Sequence, residues 1–249
     1  MKKLICILLL MIPFITGYSQ SIKIEEIGGE LTSDEKQYIQ TILEFELEFY
    51  QGIFELDTVF FRITLFDNFQ KYKKYQKQVS SSAKSNTGFY SSSLKTVIIY
   101  KNDKFLKTIN HEMSHLILRS VVNPVPKWVN EGLAEWFEYF YAFNNHVKEG
   151  IQNHKVARVK EWINKKELKL EEFLKYSNDK WKQKNLKPNY YSSSVSYCLV
   201  YFLYKENRII LNNLLIKIKN GKNSIEAFNS SYPGGIEKLQ DDFENYFKN

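Results

Sequence analysis

Residues 111–140 read HEMSHLILRSVVNPVPKWVNEGLAEWFEYF, two helical patterns joined by a proline-containing turn. His111 and His115 stand four positions apart. On a helix of 3.6 residues per turn such positions lie one turn above each other on nearly the same side. Both imidazoles can therefore meet one metal ion. Glu112 points partly aside, where a carboxylate can reach a water at the metal without being a ligand. Ile109, Met113, Leu116 and Ile117 supply the apolar flank that buries the helix, and a rigid element places ligands more accurately than a loop does.

A catalytic zinc takes three protein ligands and leaves one position open. A metzincin continuation needs Gly at 118 and His at 121, and the chain has Leu118 and Val121. The other common source is a Glu on a following antiparallel helix. Glu131 suits it, after the turn Asn123-Pro124-Val125-Pro126. Glu135, one turn on, is expected to accept a hydrogen bond from a ligand imidazole and to fix its tautomer. Gly132 costs a helix roughly 1 kcal/mol relative to Ala. The expected compensation is a close approach to the zinc helix, for which Gly132 and Ala134 leave room.

On the N-terminal side, Tyr38, Ile42, Phe45 and Phe49 mark a helix from about Ser33 to Tyr50. VFFRITLF, Val59 to Phe66, reads as a strand. Asp67 or Asn68 can cap a short helix carrying Phe69, Tyr72 and Tyr75. Ser80 to Gly88 is a polar loop. Phe89–Tyr90 and Thr96–Tyr100 read as paired strands, the second expected at the sheet edge above a cleft. Beyond Asp103 the chain is helical. Helices are expected from about Lys104 to Val121, Pro126 to Phe143, His154 to Lys165, Leu170 to Tyr176, Ser193 to Asn207, Leu211 to Lys219 and Ile236 to Phe247. The class is α+β: a small N-terminal antiparallel or mixed sheet, in about residues 20–102, packed on a mostly helical body of about 103–249.

The first residues read as an address. Lys2 and Lys3 precede an apolar run from Leu4 to Ile15, then Gly17, Tyr18, Ser19 and Gln20, the pattern of a signal peptide over 1–19. The run is short for a retained membrane anchor, so the mature chain is expected to be secreted or periplasmic. Its one remaining thiol, Cys198, excludes an internal disulfide and reads as buried and inert. The formal charge of +7 falls to +5 without Lys2 and Lys3. Its lysines are scattered and no nucleic-acid motif accompanies them, so no nucleic-acid partner is expected. A monomer acting on a peptide or protein is. His146 and His154 lie in polar surroundings and read as surface residues.

HEMSH followed by NEGLAE resembles the gluzincin metallopeptidases, in particular the peptidase MA-like domains of exported bacterial proteins. The specific match runs from His111 to Glu135, with a looser one over GFY…TVIIY and YYSSSVSYCLVYFL. The resemblance implies a zincin-like fold, His111, His115 and Glu131 as Zn2+ ligands, and Glu112 as general base. Hydrolysis by a zinc-activated water also needs a donor to the developing oxyanion. Tyr191, and next Tyr190, are the expected donors. The rival reading keeps the fold and denies the reaction: a catalytically weak or inactive zincin-fold binding or scaffold module at the cell envelope.

Overall fold

The computed structural model describes residues 22–28, 30–56, 61–80, 85–144 and 146–248; the expected signal peptide lies outside them. The chain opens with a strand the sequence reading missed, β1 (Ile22–Ile27), and continues through α1 (Ser33–Gln51), β2 (Phe61–Phe66), α2 (Phe69–Val79), β3 (Gly88–Ser91) and β4 (Thr96–Tyr100). Thr32 and Glu35 close a capping box at the start of α1, and Asn68 caps α2. The sheet order is β1-β2-β4-β3. β1 and β4 both run parallel to β2, and β3 is antiparallel to β4. β4 is therefore an interior strand, and β3 takes the edge expected of it. The reason is that β4 has a hydrogen-bonding neighbour on each side, the hairpin partner and β2.

Alternation along the strands separates two faces. Ile63, Leu65, Val97 and Ile99 enter the main core, while Phe66, Ile98 and Phe89 pack with Tyr72 of α2. The main core runs from Leu31 to Phe247 and joins the sheet to the helical body.

That body holds α3 (Phe105–Val121), α4 (Lys127–Phe137), the hairpin β5 (Phe140–Phe143) and β6 (His146–Glu149), α5 (Asn153–Asn164), α6 (Leu170–Leu174), α7 (Asn178–Lys184), α8 (Tyr191–Lys219), α9 (Ser224–Ser231) and α10 (Gly235–Lys248). The expected helix to Phe143 stops at Phe137. FYAF, 140–143, pairs with β6 instead, because its aromatic residues favour a strand and Asn144 turns the chain at φ 49°. The two helices expected on either side of Asn207 form one element with a kink there (φ −160°, ψ 92°). Gly132 is a close approach, but to α8 rather than to α3. A Cβ there would lie 2.6 Å from the Ser196 carbonyl oxygen and 2.7 Å from Val200. One position beyond Glu131, it sits about 100° further round the helix and faces the opposite neighbour. Cys198 is buried, as expected. Among the described residues no helix is long and apolar enough to cross a membrane.

Candidate metal centre

α3 is anchored on three sides. Tyr50 of α1 and Ser114 share a hydrogen bond of 2.9 Å. Asn110 donates to the Phe140 carbonyl at 3.0 Å and to the Tyr38 hydroxyl at 3.2 Å. Buried Ile109, Met113 and Ile117 fill the space beneath. With the helix so fixed, His111 and His115 present their rings with centroids 4.8 Å apart. α4 packs alongside and turns Glu131 toward them.

Glu131 divides its two oxygens. Oε1 accepts from Lys127 Nζ at 2.9 Å and from Asn130 Nδ2 at 3.3 Å. Oε2 faces the histidines, 4.0 Å from His111 Nε2 and 3.9 Å from His115 Nε2. Ligand atoms of the three residues all lie within 4.8 Å of one another. Two zinc–ligand bonds together reach about 4.1 Å, so an ion fits between the carboxylate and each imidazole. The donor set, two imidazoles and one carboxylate, suits zinc and leaves a coordination position for water. Lys127, Asn130 and the i,i+4 spacing of the histidines thus combine to aim three donors at one point.

Charge distribution around this point is uneven. Although burial opposes it, the hydrogen bond that Glu138 accepts from the ring and the charges of Glu112, Glu138 and Glu135 raise His111 to about 10. Burial lowers His115 to about 3, against the pull of Glu131. Burial would raise Glu131, yet His115, Lys127 and His111 hold it at about 2. Glu112 is raised, chiefly by burial. Its Oε2 accepts the Tyr90 main-chain N–H of β3 at 2.8 Å, which ties this carboxylate to the sheet edge.

The imidazole partner differs from the expected one. His111 Nδ1 lies 3.2 Å from Glu138 Oε2, and Glu135 hydrogen-bonds neither histidine. Its Oε2 pairs with the buried Lys155 at 2.5 Å and accepts from Gln152 at 3.3 Å. A cation from α5 has claimed that carboxylate, and Glu138, two turns beyond Glu131, reaches the ring. His115 Nδ1 is buried without a hydrogen-bond partner.

The ring contacts of Tyr191 and Tyr190 are with residues other than the three candidate ligands. The Tyr191 ring packs 4.7 Å from Trp162 and 6.4 Å from Phe173, where burial pushes its hydroxyl pKa up. Tyr190 starts α8 at φ 47°, with Arg158 5.4 Å over its ring. Neither hydroxyl bonds to a residue of the metal centre. The further residues around it are Tyr90, Arg119, Lys127 and Glu138; Lys127 and Glu138 share the helical face of Glu131 at i−4 and i+7, and Arg119 that of His115 at i+4, whereas Tyr90 had no sequence signal. Arg119 Nε donates to Asn130 at 3.2 Å and lies 5.9 Å over the Tyr90 ring. His146 and His154 are both exposed.

Residues 105–222 match the model of a family described as a protein of unknown function (DUF1570). The matched stretch begins with α3 and ends just after α8, so it contains His111, His115 and Glu131. No curated protein matches the chain.

Proposed function

We propose that this chain is an exported zinc-dependent peptidase of the gluzincin kind. The observation that carries the reading is the convergence of His111, His115 and Glu131 within 4.8 Å, with Glu112 on the same helix beside them. A bound zinc ion would supply the Lewis acidity that polarises a peptide carbonyl and activates a water. Glu112 Oε2 is held by the Tyr90 N–H, which leaves Oε1 to accept the proton of the attacking water. Its raised pKa suits a base that must later return this proton to the leaving amine. Glu138 holds the His111 ring from behind, and Lys127 with Asn130 holds Glu131, so the residues need little rearrangement.

A binding or scaffold module is the second reading. It is disfavoured by Glu112, since a structural zinc site has no use for a base and tends to close its fourth position. The deciding experiment is zinc content of the purified mature chain, residues 20–249, at neutral pH. About one zinc per chain is expected, with near-complete loss in His115→Ala. A folded chain that takes up no zinc when offered it overturns the reading.

A further inference from the structure

Arg119 is a cation beside the candidate metal centre with no task among the ligands or the proposed base. It stands one turn beyond His115 on α3, so the face that carries the imidazoles continues into a guanidinium. The side chain is exposed, yet it is held on two sides. Its Nε donates to Asn130 Oδ1 at 3.2 Å, and Asn130 is itself buried at 1% exposure. The guanidinium carbon lies 5.9 Å from the centroid of the Tyr90 ring of β3.

Both anchors lead to the candidate centre. Asn130 Nδ2 donates to Glu131 Oε1 at 3.3 Å, and the Tyr90 N–H donates to Glu112 Oε2 at 2.8 Å. The guanidinium is therefore one residue removed from Glu131 on one side and from Glu112 on the other. Burial acts first on Glu112 and His115, but the charge of Arg119 reaches both.

What this cation lacks is an anion. Lys127 is paired with Glu131 at 2.9 Å and Lys155 with Glu135 at 2.5 Å. Among the described residues no carboxylate pairs with Arg119, and its two terminal Nη groups have no hydrogen-bond partner. With Nε fixed and the ring of Tyr90 against it, the guanidinium is a planar fork whose orientation is already set. Such a fork fits the two oxygens of a carboxylate. Four residues of helix rise about 6 Å, and an extended peptide advances about 3.3–3.6 Å per residue. A carboxylate held by Arg119 thus belongs to a residue within about two positions of a bond placed at the three candidate ligands.

We propose that Arg119 is a specificity residue of this site and clamps a carboxylate of the peptide substrate close to the cleaved bond. The assignment rests on the peptidase reading and deepens it by naming the substrate class, peptides with an acidic group beside that bond.

The test is calorimetric binding of blocked peptides to the mature chain carrying Glu112→Gln, which keeps them intact, with zinc content measured on the same samples. Acetyl-AAEAA-amide has an acidic side chain, acetyl-AAQAA-amide has no charge, and acetyl-AAQAA has a free terminal carboxylate. A charged peptide is expected to bind about tenfold or more tighter than the neutral one, the scale of hydrogen bonds to a charged group. Whichever charged peptide binds tighter identifies the source of the carboxylate. Arg119→Gln is expected to remove the difference with zinc content unchanged. Arg119→Glu is expected to reverse it in favour of acetyl-AAKAA-amide, a reversal that mere loss of support for Asn130 does not produce. Equal affinity for charged and neutral peptides, or selectivity that survives in Arg119→Gln, overturns the clamp and leaves the peptidase reading standing in a zinc-loaded chain. Arg119-dependent selectivity in a chain that takes up no zinc sinks the peptidase reading instead and leaves a carboxylate-binding site.

Discussion

The two flanks of the candidate metal centre treat the same side chain in opposite ways. On the His111 flank stand Glu138, Glu135 and the buried Lys155, and the ring has a carboxylate on Nδ1. On the His115 flank stand Arg119 and Lys127, and Nδ1 has no partner. One imidazole is raised to about 10 and the other lowered to about 3, although they belong to one helix and are one turn apart. The difference teaches that ligand spacing and ligand environment are separate properties. Spacing follows from the helix, and environment from whatever other elements bring to each face.

The largest effect is expected at the residue between the flanks. If the chain is the proposed zinc peptidase, Glu112→Gln should cut peptide cleavage by about 10²–10⁴ with zinc retained; full activity in that variant would remove Glu112 as the proposed base. Next comes the asymmetry itself. Glu138→Gln should weaken zinc binding by about 10–100-fold, whereas Glu135→Gln, whose carboxylate serves Lys155, should change it far less. Equal losses from the two would erase the distinction between them.

The smallest effect is read in the metal-free chain as stability against pH. His111, raised in the folded state, contributes stability that is complete below pH 6.5 and is lost as pH rises toward about 10. His115, lowered, does the reverse: its contribution is present above 6.5 and is lost as pH falls toward about 3. Each limb has a slope of up to about 1.4 kcal/mol per pH unit. Urea midpoints at pH 5, 6.5 and 8 check this, and Glu138→Gln should flatten the alkaline limb only. A variant curve parallel to that of the unsubstituted chain from pH 6.5 to 8 would mean that Glu138 does not set the charge of His111.

How much could be read in advance depended on the distance over which each feature is decided. HEMSH on a helix, NEG on the next one, and the pairing of Phe89–Tyr90 with Thr96–Tyr100 are short-range patterns, and all have their place in the fold. Glu135 was the natural second partner by one-turn logic, but Lys155 of α5 occupies it. Glu138 sits at the C-cap of α4, seven positions beyond Glu131 and on the same helical face as Glu135, so periodicity alone does not choose between the two carboxylates. Tyr190 and Tyr191 stand just before the helix with Tyr197 in a chain of seventeen tyrosines, and chain order does not fix their neighbours, which are Arg158 and Trp162. β1 was missed because IKIEEI alternates weakly, and its place beside β2 is a pairing across 39 positions.

Taken alone, the sequence determined that a helix would carry His111, Glu112 and His115 with both imidazoles on one side, and that Glu131 would follow on a second helix. Backbone hydrogen bonding sets that geometry within a few residues, so no other part of the chain is needed to infer it. Only the tertiary structure decided that α4 lies where Glu131 Oε2 faces both rings, that Glu138 rather than Glu135 stands behind His111, and that the edge strand lends its Tyr90 N–H to Glu112. Those contacts depend on the angle and depth at which helices and sheet meet, and these are set jointly by every side chain in the core between them.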